Sequence, residues 1–203
     1  MIKEIKIKFN GVELFYRQLM AKKSEKNLIM LHGYSFTSKE WEQIGAMDYL
    51  ANLGYNVYAI DYPGFGQSDK NPNFEVERGN ILNSSSFILA FMDFMGMHSA
   101  SLIGASMGGG IAILSAIETD MRIESMILVG PAWYPDDALS LVTINTLFIF
   151  GENDDLISQD DLLPKISEKS NFSVKIMKDA GHAAYMDKPA AFLQVAKEFL
   201  ASQ

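Results

Sequence analysis

A serine is a poor nucleophile at neutral pH, so Ser106 is chemically interesting only for where it stands. It sits in Gly104-Ala105-Ser106-Met107-Gly108, between a short apolar strand pattern and a helical one. A strand-to-helix turn of this composition is the context of a nucleophile elbow. The serine is held in a strained turn with its hydroxyl projecting off the sheet, and the flanking glycines let strand and helix backbones approach closely. The chemistry this would support is attack on a carbonyl carbon. It requires a base, an acid to orient the base, and donors for the oxyanion.

Only three histidines are available as the base: His32, His98 and His182. His182, in Ala180-Gly181-His182, lies between the last strand and the C-terminal helix, where a loop can reach Ser106. His32 directly follows a strand, in Leu31-His32-Gly33-Tyr34, and reads as a residue that holds its loop by hydrogen bonding. His98 lies between a helix and a strand, at the edge opposite the serine, and reads as structural. For the acid, Phe150-Gly151-Glu152-Asn153-Asp154-Asp155 places carboxylates just after the penultimate strand. Asp154 is favoured, with Asp155 as the rival, and the chain order Ser, Asp, His suits the elbow. The oxyanion donors expected are the backbone N–H of Met107, next to the nucleophile, and that of Tyr34 in the His-Gly loop.

Other readings of these residues fare worse. A dinucleotide fingerprint would need glycine where Ser106 stands, and Gly-Lys-Ser/Thr of a phosphate-cradling loop is missing. Asp154, Asp155, Asp160 and Asp161 lack the spacing and central glycine of a calcium loop, so no metal and no cofactor are expected. The segment Asp61-Tyr62-Pro63-Gly64-Phe65-Gly66-Gln67-Ser68 reads as a shaped loop at the same edge.

The elements that must position these residues are legible in the hydrophobic pattern. Ile5, Ile7 and Phe9 alternate with lysines, Asn10-Gly11 supplies a turn, and Val12 to Leu19 returns, which predicts a β-hairpin. Leu28 to Leu31 is a continuous apolar run, as in a strand buried on both faces of a parallel sheet. Strand and helix then alternate. A helix opens on a Thr37/Glu40 capping box and runs through Trp41 and Leu53 to Gly54, followed by a strand from Tyr55 to Ile60. A helix from Ile81 to Met95 leads to strand Ser101 to Ile103, the helix after Ser106 to about Ile117, and strand Met126 to Val129. Strands Thr146 to Phe150 and Ser173 to Met177 flank a helical stretch around Leu162 to Ser167, and Pro189 opens the last helix through Leu200. The whole, residues 1–203, is expected to be one α/β domain: a mostly parallel sheet with an N-terminal antiparallel hairpin and helices on both faces.

Composition narrows the function classes. Seventeen Lys and Arg against 25 Asp and Glu give a net charge of −8, which disfavours nucleic acid and anionic membranes as partners. No cysteine occurs, which removes disulfides and thiol chemistry. No signal-peptide pattern and no apolar run of spanning length is present, and the expectation is a cytoplasmic protein.

In order along the chain, His32-Gly33, the Asp61 to Ser68 loop, the elbow at Ser106, Gly151-x-x-Asp154 and Gly181-His182 resemble the α/β-hydrolase superfamily over nearly the whole length. Val129-Gly130-Pro131, Ile176 to His182 and Tyr185-Met186-Asp187-Lys188-Pro189 look like the small lidless hydrolases of α/β-hydrolase domain-containing protein type fourteen. Gly104 and Gly108 depart from that subgroup, which tends to carry serines there. The resemblance implies a Ser-His-Asp hydrolase of small carboxylic esters, with acyl transfer, perhydrolysis or a non-catalytic adaptor role on the same fold as alternatives. Its partner would be a small acyl substrate. About fifteen residues, Pro131 to Asn145, stand where larger relatives insert a cap, so none is expected. The open cleft should then be lined by Tyr34, Phe36, Met107, Trp133 and Tyr185.

Overall fold

The computed structural model describes residues 1–118 and 121–203. Its strands are β1 (Lys3–Phe9), β2 (Val12–Leu19), β3 (Asn27–Leu31), β4 (Asn56–Ile60), β5 (Ala100–Ala105), β6 (Ile123–Val129), β7 (Asn145–Gly151) and β8 (Phe172–Met177). They form one eight-stranded sheet in the order β1-β2-β4-β3-β5-β6-β7-β8. β1 and β2 pair antiparallel, as do β2 and β4, and every later pairing is parallel. The hairpin turn has positive φ at both central residues, 49° at Asn10 and 86° at Gly11, which matches the twist of the strands it joins. Lys3, Lys6 and Lys8 are exposed on β1 and guard that edge against pairing with another chain.

The continuous apolar strands bury both faces. In β3, Leu28 and Met30 point into one core while Ile29 and Leu31 point into the other. The same alternation runs through Val57/Tyr58, Leu102/Ile103, Ile127/Leu128 and Leu147/Phe148. Helices α1 (Lys39–Gln43), α2 (Ala46–Asn52), α7 (Ala184–Asp187) and α8 (Pro189–Leu200) cover the first face through Trp41, Met47, Leu50, Tyr185 and Phe192. Helices α3 (Phe87–Met95), α4 (Met107–Glu118), α5 (Ala138–Leu141) and α6 (Gln159–Ser167) cover the second, through Phe87, Phe91, Ile111, Leu139 and Ile166.

Two helices differ from the periodicity. The expected run from Thr37 to Leu53 is broken, because Gly45 takes φ +72° and starts α2 afresh. The capping interaction survives, the Thr37 N–H donating to Glu40 at 2.7 Å. The expected helix from Ile81 is a 3-10 turn at Leu82–Ser84, and α3 proper begins only at Phe87. The intervening polar run Asn83-Ser84-Ser85-Ser86 explains the delay: such residues compete for backbone hydrogen bonds, and the Ser84 hydroxyl donates to the Ile81 carbonyl at 2.6 Å. The segment between β6 and β7 carries only the four-residue α5.

After β3 the chain moves to β4 on one side, then returns to place β5 on the other side of β3. The loops leaving β3 and β5 therefore diverge, and a crevice opens outside their carboxyl ends. His32 and Ser106 are the first residues beyond those two strands.

Candidate active site

Ser106 adopts φ +50°, a left-handed conformation that costs a non-glycine residue about 1–2 kcal/mol. Three backbone hydrogen bonds impose it. The Ser106 N–H donates to the Val129 carbonyl at 2.8 Å, extending the β5 ladder, while its carbonyl accepts from Gly110 and Ala132, each at 3.1 Å. The flanking glycines are required by contact: a Cβ on Gly104 would lie 2.7 Å from the Gly109 nitrogen, and one on Gly108 would lie 2.7 Å from the His32 carbonyl oxygen. Strand, turn and helix are thus locked with the Ser106 side chain facing a cleft of about 410 Å³.

His182 lines the same cleft, and its Nδ1 stands 2.9 Å and 3.1 Å from the two carboxylate oxygens of Asp154. The Asp154 side chain is 0% exposed, and its Oδ1 also accepts from the Leu156 and Ile157 N–H groups, at 3.0 Å and 3.2 Å. A buried carboxylate fixed by these backbone donors can orient the ring. With Nδ1 donating to Asp154, Nε2 is left to accept a proton on the cleft side. Asp155, the rival acid, is exposed and does not contact His182. No hydrogen bond joins the Ser106 hydroxyl to His182 among those the described residues make.

The other two histidines have different surroundings. His32 is buried; the Tyr62 N–H donates to its Nε2 at 3.0 Å, so Nδ1 carries the proton and donates to the Gly33 carbonyl at 2.8 Å. Burial holds its pKa below the ordinary value, so it is a neutral brace for the loops after β3 and β4. His98 is exposed just before β5, at the opposite edge.

Met107 is the first residue of α4, so its N–H has no partner within the helix, and no protein acceptor is found for it or for the Tyr34 N–H among the described residues. Gly33 abuts the serine, since a Cβ there would stand 3.5 Å from the Ser106 Cβ. The Met107 side chain itself is buried in the core.

Of the aromatic residues expected around the cleft, Trp133 lines it, at φ +70°, with its ring 5.2 Å from that of Tyr34. Tyr34 touches Phe65 in turn, 5.4 Å between centroids, so an aromatic bridge joins the β3 loop to the segment after β6. Tyr34, Phe36 and Tyr185 are not among the cleft residues. Phe36 is half-buried beneath the loop, its ring against Gly33. Tyr185 is 1% exposed and stacks on Trp41 at 4.5 Å, because α7 turns it toward the sheet. Tyr134, Leu156, Ile157 and Leu162 take their places. Burial pushes the Tyr134 hydroxyl up to about 12, so it stays a neutral donor.

Gly130 is the residue sequence reasoning missed. It has φ +49°, and a Cβ there would lie 2.9 Å and 3.0 Å from His182 Cε1 and Nδ1 and 3.2 Å from Asp154 Oδ2. The available signal was a glycine immediately after strand β6, on the edge where the other loops meet. The Asp61 loop does shape its surroundings: the buried Asp61 carboxylate accepts from the Ser38 N–H at 2.7 Å, the Ser38 hydroxyl, and the Gln67 N–H at 2.9 Å. Among the described residues, no three His, Cys, Asp or Glu side chains could together hold a metal ion, and no helix is long and apolar enough to cross a membrane.

Comparison with known proteins places the chain in a family. A solved structure described as a "predicted CIB-like hydrolase" from Thermoplasma acidophilum is 29% identical, covers 100% of this chain and 99% of its own, and superposes with a TM-score of 0.94. Mouse (Mus musculus) ABHD14A is 28% identical across 88% of this chain and 72% of its own. Rat (Rattus norvegicus) ABHD14B, named as a candidate protein-lysine deacylase, is 28% identical across 90% of this chain and 88% of its own. The family model of the alpha/beta hydrolase fold matches residues 26–144, which spans β3 to the end of the segment after β6 and includes both His32 and Ser106. The chain belongs to the alpha/beta hydrolase fold family and, within it, is similar to the ABHD14 proteins.

Proposed function

We propose that this protein is a serine hydrolase that cleaves small carboxylic esters through an acyl-enzyme, with Ser106 as nucleophile, His182 as base and Asp154 as the acid that orients it. The observation that carries the reading is the bonding of the His182 ring to a fully buried, amide-braced Asp154 in the cleft that Ser106 faces. In the first step His182 Nε2 takes the Ser106 proton as Oγ attacks the carbonyl carbon. The negative charge on the carbonyl oxygen is received by the Tyr34 and Met107 N–H groups, aided by the N-terminus of α4. His182 then protonates the departing alkoxide. In the second step it deprotonates a water that attacks the acyl-enzyme, releasing the carboxylate and restoring Ser106. Approach of the substrate closes the Ser106–His182 bond, as catalytic hydrogen bonds commonly tighten in the Michaelis complex.

A cleft of about 410 Å³ walled by Trp133, Leu156 and Leu162 suits a short acyl chain. The name of the rat relative favours a second reading with the same machinery, in which the acyl group is borne by an amine. Steady-state kinetics on short aryl esters and acylated amines, with Ser106→Ala as control and a fluorophosphonate as active-site label, test both. The expected result is labelling of the wild type alone and a loss of several orders of magnitude in turnover on removing the hydroxyl. Equal rates for Ser106→Ala and wild type would end the assignment. Absence of labelling in a folded wild type would support a binding module.

A further inference from the structure

The loop that presents His182 is held by two side chains that the chemistry above does not use. The Asp179 N–H donates to the Glu152 carboxylate at 3.0 Å, and the Gly181 N–H donates to the Asp187 carboxylate at 2.8 Å. Between them, the Asn153 N–H donates to the Ala180 carbonyl at 2.8 Å. Glu152 stands two residues before Asp154 on the acid's own loop. Asp187 closes α7, the turn that leaves His182.

We propose that Glu152 and Asp187 are positioning residues: a pair of carboxylates that clamp the backbone on either side of Ala180 and so fix where His182 stands relative to Asp154. The proposal rests on the triad reading above. Three features support it. Asp179 has φ +54°, so the loop enters the clamp in a left-handed conformation that few residues other than glycine, Asn and Asp adopt. Gly151 packs flat against the same loop, where a Cβ would lie 2.7 Å from the Ala180 carbonyl carbon, so the loop is backed on one face and gripped at both ends. Gly181 is the residue immediately before the histidine, and losing the acceptor of its N–H frees the backbone angles that aim the imidazole. Both carboxylates are exposed, so their hydrogen bonds contribute little to global stability while still setting the ring's position.

The clamp is tested with Asp187→Ala, Asp187→Asn, Glu152→Ala and the double alanine variant of the full chain. Three readouts are used: kcat and KM on a short aryl ester, melting temperature, and the downfield proton resonance of the His182 Nδ1–H bonded to Asp154. An asparagine keeps an oxygen that can accept from Gly181. The expected result is a fall in kcat of between about tenfold and a hundredfold for Asp187→Ala, the range for a catalytic group displaced by up to about 1 Å. KM should change little, the double variant should lose more, and Asp187→Asn should recover most of the rate. The Nδ1–H resonance should broaden or vanish in the alanine variants and persist in the asparagine one. Wild-type kcat and an intact resonance in the double variant would overturn the clamp. So would a rate loss that tracks a falling melting temperature and is equal in Ala and Asn, which would mark a purely stabilising contact. The resonance needs no turnover, so it judges the clamp even if Ser106→Ala proves fully active and the triad reading fails.

Discussion

Replacing Gly130 with alanine asks whether the His182–Asp154 pair, and not merely the presence of its residues, makes the site. Two costs follow from the structure. The first is conformational: alanine at φ +49° carries a left-handed penalty of about 1–2 kcal/mol. For a chain of this length that lowers the melting temperature by roughly 2–8 °C. The second is local. The new methyl would stand 2.9 Å from His182 Cε1, where carbon atoms normally rest about 3.5–4.0 Å apart, so the ring must retreat by about 0.6–1 Å. It cannot retreat toward Asp154, whose Oδ2 lies 3.2 Å from the same methyl. A displacement of that size costs on the order of a hundredfold in rate. The assay is kcat/KM on a short aryl ester at a temperature well below both melting points, paired with the rate of fluorophosphonate labelling. Both should fall together by tenfold to a hundredfold. A Gly130→Ala variant that melts lower but turns over within twofold of wild type would refute the reasoning, since the pair would then tolerate displacement.

Gly66→Ala should destabilise without touching the cleft: at φ +55° its Cβ would run into the buried Asp61 carboxylate, and a loss of several degrees in melting temperature is expected, against little change if the Asp61 network is dispensable. His32 makes stability depend on pH. Its folded-state pKa is depressed by burial, so the unfolded chain binds the proton first; stability is complete above about 6.5 and is lost as pH falls below it, with a limiting slope of about 1.4 kcal/mol per pH unit. Urea titrations of wild type and His32→Gln between pH 5 and 8 should show a steeper acid decline in the wild type, and equal slopes would contradict the buried neutral ring. Lys169 donates to the Leu139, Ser140 and Val142 carbonyls at 3.1, 2.8 and 2.7 Å, so Lys169→Met should loosen the α5 segment and expose it to limited proteolysis before the rest of the chain. An unchanged cleavage pattern would mean those carbonyls are held by other contacts.

Much of this architecture is readable from the chain because its signals are local. The apolar runs at Leu28 to Leu31 and Met126 to Val129 have the length and composition of strands buried on both faces, and Asn10-Gly11 favours its turn. Ser106 and His182 stand out because the elbow and the glycine before the histidine lie at strand ends, which the topology gathers to one edge. Asp154 is harder to separate from Asp155 by sequence, since adjacent carboxylates differ only in which direction the loop turns them. What could not be read depends on contacts between distant segments. Tyr185, three residues after His182, would line the cleft if α7 were rotated; stacking on Trp41 and Phe192 decides otherwise. Gly45 breaks a helix whose hydrophobic spacing continues through it, because its left-handed φ of +72° ends α1 and starts α2 afresh.

Gly130 illustrates the general difficulty. By sequence it is a glycine after a strand, with the same standing as Gly151 or Gly104, and any of the three could mark an ordinary turn. The structure separates them by what a Cβ would strike. At Gly104 the obstacle is the first turn of α4, at Gly151 it is the backbone of the His182 loop, and at Gly130 it is the imidazole and carboxylate themselves. The first two positions secure backbone against backbone, so their substitution should be felt mainly in folding. The third leaves space for a hydrogen-bonded pair whose geometry, under the proposed mechanism, sets the rate. Substituting each in turn therefore distinguishes residues that hold the scaffold from one that makes room for the chemistry, and the ratio of rate loss to stability loss should be largest at Gly130.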